Sequence, residues 1–152
     1  MSISPIPAGY HSLTPYLIVD GAARALTWYA EALGASEVMR LSLPGDRIGH
    51  AEFTIGDSHV MLADPNPEIG ATPPAGFGGS PVSLHLYVAD VDAMMARAAA
   101  AGATVKARAE DKFYGDRLGT LVDPFGYTWH IATHIEDVPF AEIKRRMAAM
   151  GG

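Results

Sequence analysis

Cysteine is absent from the 152 residues. That excludes disulfides and thiolate metal sites, and it leaves the redox compartment open. No apolar run approaches the roughly 18 residues of a membrane span, so a membrane partner is not expected. Positive charge is scarce: 11 Lys and Arg stand against 17 Asp and Glu, for a formal charge of −6. Only Lys144-Arg145-Arg146 brings basic residues together. Nucleic acid and anionic lipid are therefore disfavoured as partners, and a small molecule is the more natural ligand. The opening Met1-Ser2-Ile3-Ser4-Pro5 lacks the charged start and apolar stretch of a signal peptide, which makes a cytoplasmic location the default expectation. Gly76-Phe77-Gly78-Gly79-Ser80 is followed by neither Lys nor a helical pattern, so it is not a phosphate loop. No nucleophile elbow or dinucleotide fingerprint occurs.

What the chain does contain is a repeat. Tyr16-Leu17-Ile18-Val19-Asp20 leads into an amphipathic stretch that ends Leu33-Gly34-Ala35. About seventy residues later, His85-Leu86-Tyr87-Val88-Ala89-Asp90 leads into another, which ends Ala101-Gly102-Ala103. A hydrophobic content of 49% suffices for a core, and the length suits one domain of two halves.

Each half reads as strand, helix and three strands. In the first, a β-rich segment over 13–19 precedes Asp20, a candidate N-cap. Leu26, Tyr29, Ala30 and Leu33 then fall on one helical face, and Gly34 suits the position after the helix. Strands are predicted over about 36–43, 48–56 and 59–64, with turns at Pro44-Gly45-Asp46 and Gly56-Asp57-Ser58. A Pro- and Gly-rich connector without regular structure covers 65–81. Its first reading is a linker and its second a lid carrying Phe77. The second half repeats the order: a strand over 82–89, Asp90 capping a helix to 101, and strands over 103–110, 116–122 and 127–133. Asp123-Pro124-Phe125-Gly126 makes the last turn. A final helix over 139–149 has an apolar stripe of Phe140, Ile143 and Met147. Met94, Met95 and Met147 read as core. The fold class is α+β: two βαβββ modules (about 10–64 and 82–135) forming an open barrel-like cleft, plus a C-terminal helix, in a single domain.

These paired modules carry further marks. Trp28-Tyr29 stands five to six residues before Gly34, and the chain runs Asp123-Pro124-Phe125-Gly126-Tyr127-Thr128-Trp129. The pattern resembles the vicinal oxygen chelate superfamily of glyoxalase I, extradiol dioxygenases and bleomycin-resistance proteins. With Gly49-His50-Ala51-Glu52 and Ile131-Ala132-Thr133-His134 it is most similar to a PhnB-like, glyoxalase-like subgroup. The resemblance covers about 10–135. It implies a homodimer and, in metal-dependent members, a divalent metal held from the first and last strands of each module. Those positions fall here on Leu13 or Thr14, Met61, Ser83 and His130. Only His130 is a good ligand for a hard divalent ion, so the resemblance fails at the metal site.

Strand alternation offers a substitute set. Residues two apart share a face, so His85 and Tyr87 follow Ser83 toward the cleft. A turn at Asp57-Ser58 pairs Thr54 with Met61 and Glu52 with Ala63, which sends Glu52 and His50 the same way. His85, His130 and Glu52 are then candidates either for a divalent metal site or for general acid–base catalysis. His85 or His130 buried in the core, and Glu52 facing water at an edge, are the competing structural readings. His50, His59 and His134 read as rim residues. Tyr87, Trp129, Met61, Phe113, Tyr114 and Met39 are candidate ligand contacts. Arg117, placed with Gly119 and Leu121 beside His130, is either an anchor for an anionic group or a surface ion pair. Two functions follow: a glyoxalase-like lyase or isomerase acting on a small carbonyl compound, or a non-catalytic protein of bleomycin-resistance type that sequesters a small molecule.

Overall fold

The structure, a computed structural model, describes residues 2–151. The chain forms two compact units, the first reaching Ser80 and the second starting at Pro81. In the first unit, β1 (Tyr16–Ile18), α1 (Ala22–Leu33), β2 (Ser36–Leu43), β3 (Arg47–Ile55) and β4 (Ser58–Ala63) follow one another. In the second, β5 (Ser83–Tyr87), α2 (Val91–Ala100), β6 (Thr104–Asp111), β7 (Asp116–Val122) and β8 (Thr128–His134) repeat that order, and α3 (Phe140–Met150) follows. The fold is α+β, with two four-stranded mixed sheets ordered β1-β4-β3-β2 and β5-β8-β7-β6. In each, the last strand lies parallel to the first and antiparallel to the third.

Each helix packs on one face of its own sheet. In the first unit Tyr29 of α1 stacks on Phe53 of β3 at 5.1 Å between centroids, over a core with Leu17, Val19, Leu33 and Leu62. In the second, Val91, Met95 and Ala98 of α2 are buried with Leu121, Trp129 and Ile131. Gly119 of β7 admits Met95: a Cβ there would stand 2.8 Å from the Met95 Cε. Met94 is only half-buried.

The two helices begin differently. Asp90 caps α2 as expected, its Oδ1 accepting from Ala93 N at 3.0 Å. Asp20 does not cap α1. That position falls to Gly21 in the left-handed region (φ 96°), and Asp64, just beyond β4, accepts from Gly21 N and Ala22 N. A carboxylate from a distant strand end thus satisfies the first amides of α1, and it also accepts from Ile48 N at 2.7 Å. In the second unit Thr133 of β8 plays a similar part, accepting from Val91 N and donating to Val88 O.

Three further expectations are corrected. The first strand is short, Tyr16–Ile18, and Leu13 lies outside it with 87% of its surface exposed. The connector is not irregular throughout: Pro67–Ile69 and Pro74–Phe77 form 3-10 turns, begun by prolines whose φ is already suitable. Helix α3 buries none of its side chains, and Met147 is exposed rather than core. Polar contacts hold it instead, through Arg146 to Phe113 O and Glu136. Among the described residues no helix is long and apolar enough to cross a membrane.

The Asp123-Pro124-Phe125-Gly126 turn is organised by a buried carboxylate. Asp123 Oδ1 accepts from Phe125 N and Tyr127 N, and Oδ2 accepts from Trp129 Nε1 at 2.9 Å. Asp123→Ala orphans these buried donors and is expected to cost about 3 kcal/mol, read as a lower urea midpoint at unchanged m. Unchanged stability would show that the turn holds without its carboxylate.

Candidate functional site

The register assigns the side chains of the second sheet to faces. Arg117 of β7 pairs with Asp92 of α2, so the odd residues of β7 lie on the helix side. Partners across a ladder share a face, and Thr120 is paired with His130, and His130 with His85. Thr120, His130, His85 and Tyr87 therefore occupy the sheet face turned away from α2. The rings of His85 and His130 are 6.1 Å apart, and Tyr87 lies 4.9 Å from His85. His130 Nδ1 is hydrogen-bonded to Thr120 Oγ1 at 2.9 Å. Among the described residues neither His85 nor His130 Nε2 has a hydrogen-bond partner. Neither imidazole is a satisfied core histidine: His85 is exposed and His130 is half-buried.

At the end of the same face Tyr87 donates to Asp116 Oδ2 at 2.7 Å, and His134 Nδ1 meets Asp116 Oδ1 at 2.8 Å. His134 Nε2 reaches Asp137 at 2.7 Å. Burial pushes the Asp116 carboxyl up, but the hydrogen bonds from His134 and Tyr87 outweigh it, and the net shift is downward. Asp116 and then Asp137 raise His134 above the ordinary histidine value. The same carboxylate raises Tyr87, which stays protonated as a donor. These groups border a pocket of about 520 Å³ with Tyr114, Val138, Pro139 and Ile143. His134, expected at a rim, is thus held by two carboxylates.

The first unit carries a hydrogen-bonded chain on the sheet face away from α1. Tyr10 donates to Glu52 Oε1, His50 Nε2 meets Glu52 Oε2 at 2.8 Å, and Tyr16 Oη meets His50 Nδ1 at 2.8 Å. The Tyr10 hydrogen bond, then that of His50, holds the Glu52 carboxyl below the usual carboxylate range. An ionised carboxylate only accepts, so neutral His50 carries its proton on Nε2, and Nδ1 accepts from Tyr16. Burial, then the charge of Glu52, raises Tyr16 and keeps it protonated. Tyr10 also stacks on His59 at 3.8 Å, and His59 Nδ1 is buried without a partner. Met61 lies on this face, opposite Tyr16 on one side and Glu52 on the other.

The β3–β4 turn lies one residue earlier than the sequence reading placed it. Ile55 pairs with Ser58, so Thr54 faces His59 and Glu52 faces Met61. The shift is two residues, an even number, and Glu52 and His50 keep their face. Two other candidates do not reach the face of His85 and His130. Arg117 lies on the helix side in surface ion pairs with Asp92 and Asp111, which engage its guanidinium. Trp129 alternates with His130 and points into the core, 2% exposed and bonded to Asp123. It cannot touch a ligand on the outer face.

Nor do the residues present fit a hard divalent ion. Apart from His130, the positions implied by resemblance supply an exposed leucine outside β1, a thioether and a hydroxyl. Glu52, in the first unit, has both oxygens engaged by Tyr10 and His50. Among the described residues no group of three or more His, Asp or Glu is placed to hold a metal. Sequence reasoning missed Tyr10, Tyr16, Thr120 and Asp116. Tyr16 and Thr120 were legible, because each alternates in step with a residue already singled out. Tyr10 belongs to the arm before β1, and no periodicity reaches it.

A family model described as Glyoxalase/Bleomycin resistance protein/Dioxygenase superfamily matches residues 10–131. The uncharacterised protein Mb0911c of Mycobacterium bovis is 40% identical, over 99% of this chain and 99% of that one. Among solved structures, TioX from Micromonospora sp. ML1 aligns with a TM-score of 0.65 at 24% identity, covering 82% of this chain and 99% of its own. The PhnB protein from Bacillus cereus aligns with a TM-score of 0.62 at 18% identity, covering 81% and 99%. The last two are likenesses of fold.

The raised His134 makes a pH prediction. Its folded value lies above the unfolded one, near 6.5. The stability it adds is therefore complete below about 6.5 and lost as pH rises through the folded value. An NMR titration should find His134 above the ordinary value, and Asp116→Asn should bring it down. An unshifted His134 in the wild type would mean that the two carboxylates do not hold it.

Proposed function

The chain belongs to the glyoxalase/bleomycin resistance protein/dioxygenase superfamily, and from that premise we propose that it is a glyoxalase-like lyase or isomerase acting on a small carbonyl-containing molecule. The observation that carries this reading is the pair His85 and His130, adjacent on one open sheet face and free at their reactive nitrogens. Imidazoles titrate near neutrality, where one group must take a proton and another return it.

The roles follow from the hydrogen bonds. With His130 Nδ1–H donating to Thr120, Nε2 presents its lone pair to the carbon beside the substrate carbonyl. Proton removal leaves an enolate, and His85 in its protonated form returns a proton. The proton count balances over one cycle once the two imidazoles re-equilibrate through water. Thr120 is a positioning residue that orients the His130 ring. Tyr87 forms a wall beside His85, and its own hydroxyl is committed to Asp116.

A panel of short 2-oxoaldehydes and 2-hydroxyketones incubated with the protein in D₂O tests the reading by NMR. Deuterium is expected to enter at the carbon beside the carbonyl, and His130→Ala should slow this by about 100-fold, within the range for a lost general base. Thr120→Val should slow it less and shift the pH profile. Panel members that perturb the imidazole resonances of His85 and His130 with no exchange at all would favour sequestration of a ligand over catalysis. A homodimer in the cytoplasm belongs to the same reading. Light scattering should then give about twice the chain mass of 16.1 kDa.

A further inference from the structure

The first unit holds a small pocket that the acid–base reading does not use. It has a volume of about 160 Å³ and is lined by Ile18, Ile48, Leu43, Ile69, Tyr16 and Arg47. At about 30 Å³ for each water-sized group, it has room for roughly five such groups. Its walls are mostly aliphatic. Leu43 and Ile69 remain largely exposed, as apolar surface that a ligand would cover.

One charged group at this pocket has no charged partner among the described residues. Arg40, Arg117, Arg145 and Arg146 each pair with a carboxylate. Arg47 does not: its Nη2 donates to Pro65 O at 2.6 Å, and among the described residues it has no acidic partner. The rest of its planar fork is free to receive a carboxylate through two parallel hydrogen bonds. Asp64 also lines the pocket, but its oxygens already accept from Gly21 N, Ala22 N and Ile48 N. Its charge is thereby turned toward the start of α1, where the helix dipole favours it. Tyr16 supplies an aromatic wall whose hydroxyl is tied to His50. Aliphatic walls of this size exclude a sugar or a nucleotide, and a bare inorganic anion would leave them unfilled.

We propose that this pocket binds a short-chain monocarboxylic acid, with its apolar chain among Ile18, Ile48 and Ile69 and its carboxylate on the Arg47 guanidinium. The site belongs to the first unit alone and does not depend on His85 and His130.

Butyrate is the probe, titrated into the full chain and followed by methyl and Arg side-chain NMR. Saturable shifts are expected at Ile18, Ile48, Ile69 and Arg47. Butyramide, of the same shape without the charge, should bind about tenfold more weakly, the loss of a charge-assisted pair. Arg47→Gln should weaken butyrate by a similar factor of about ten, and Arg47→Lys should recover part of it. Ala71→Leu, which fills the pocket from the connector, should remove the shifts while the remaining amide spectrum stays native. The proposal is overturned if butyrate gives no saturable shift, if butyramide binds as well, or if either Arg47→Gln or Ala71→Leu leaves butyrate binding unchanged. None of these results bears on deuterium exchange at the histidine pair, so the two readings fail separately.

Discussion

In each unit the last strand runs parallel to the first, β4 beside β1 and β8 beside β5, although the helix and two strands separate them in sequence. This pairing closes the unit. It sets the end of the last strand against the start of the helix, where Asp64 takes up the first amides of α1 and Thr133 takes up that of Val91. A buried helix start without such partners would be costly. The polar side chain at the strand end therefore ties the crossover to the sheet. The same pairing brings His85 beside His130, and Tyr16 beside Met61 and within reach of His50.

One backbone plan thus presents two chemically different faces. On the first unit the carboxylate sits on an inner strand, accepts from Tyr10 and His50, and leaves a chain of committed groups. On the second the carboxylate Asp116 lies at the end of the face, where Tyr87 and His134 engage it. It is thus occupied by other partners, and among the described residues the hydrogen bond to that pair comes from a neutral threonine. A carboxylate engaged with an imidazole claims the ring nitrogen that faces it, whereas His85 and His130 Nε2 face no such partner among the described residues. That contrast is why the acid–base reading rests on the second unit.

Much of this was visible in the residues. Asp90 announces α2 because its side chain reaches an amide three residues on, a local contact that needs nothing else. The pairing of His85 with His130 on one face follows from alternation, and so does that of His50 with Glu52. The error at the β3–β4 turn did no damage because it was an even number of residues. Arg117 and Trp129 show the opposite case. Each stands one residue from a group on the reactive face, and a single step along a strand reverses the side chain. Asp20 failed for a different reason: a good cap by type was displaced by Asp64, which only the closed sheet brings near.

The sequence by itself determined the order of elements, their approximate ends and the two-fold repetition of βαβββ, because hydrophobic period, turn residues and local caps act over a few residues. The tertiary structure decided which groups are already engaged. That Glu52 is held by Tyr10 and His50, that Arg117 is spent on Asp92, and that among the described residues His85 and His130 Nε2 have no hydrogen-bond partner and Arg47 no acidic one are matters of distance between residues far apart in the chain. Hydrogen bonds and ion pairs act only over a few ångströms, so the availability of a side chain is settled by its neighbours in space and not by its neighbours in sequence.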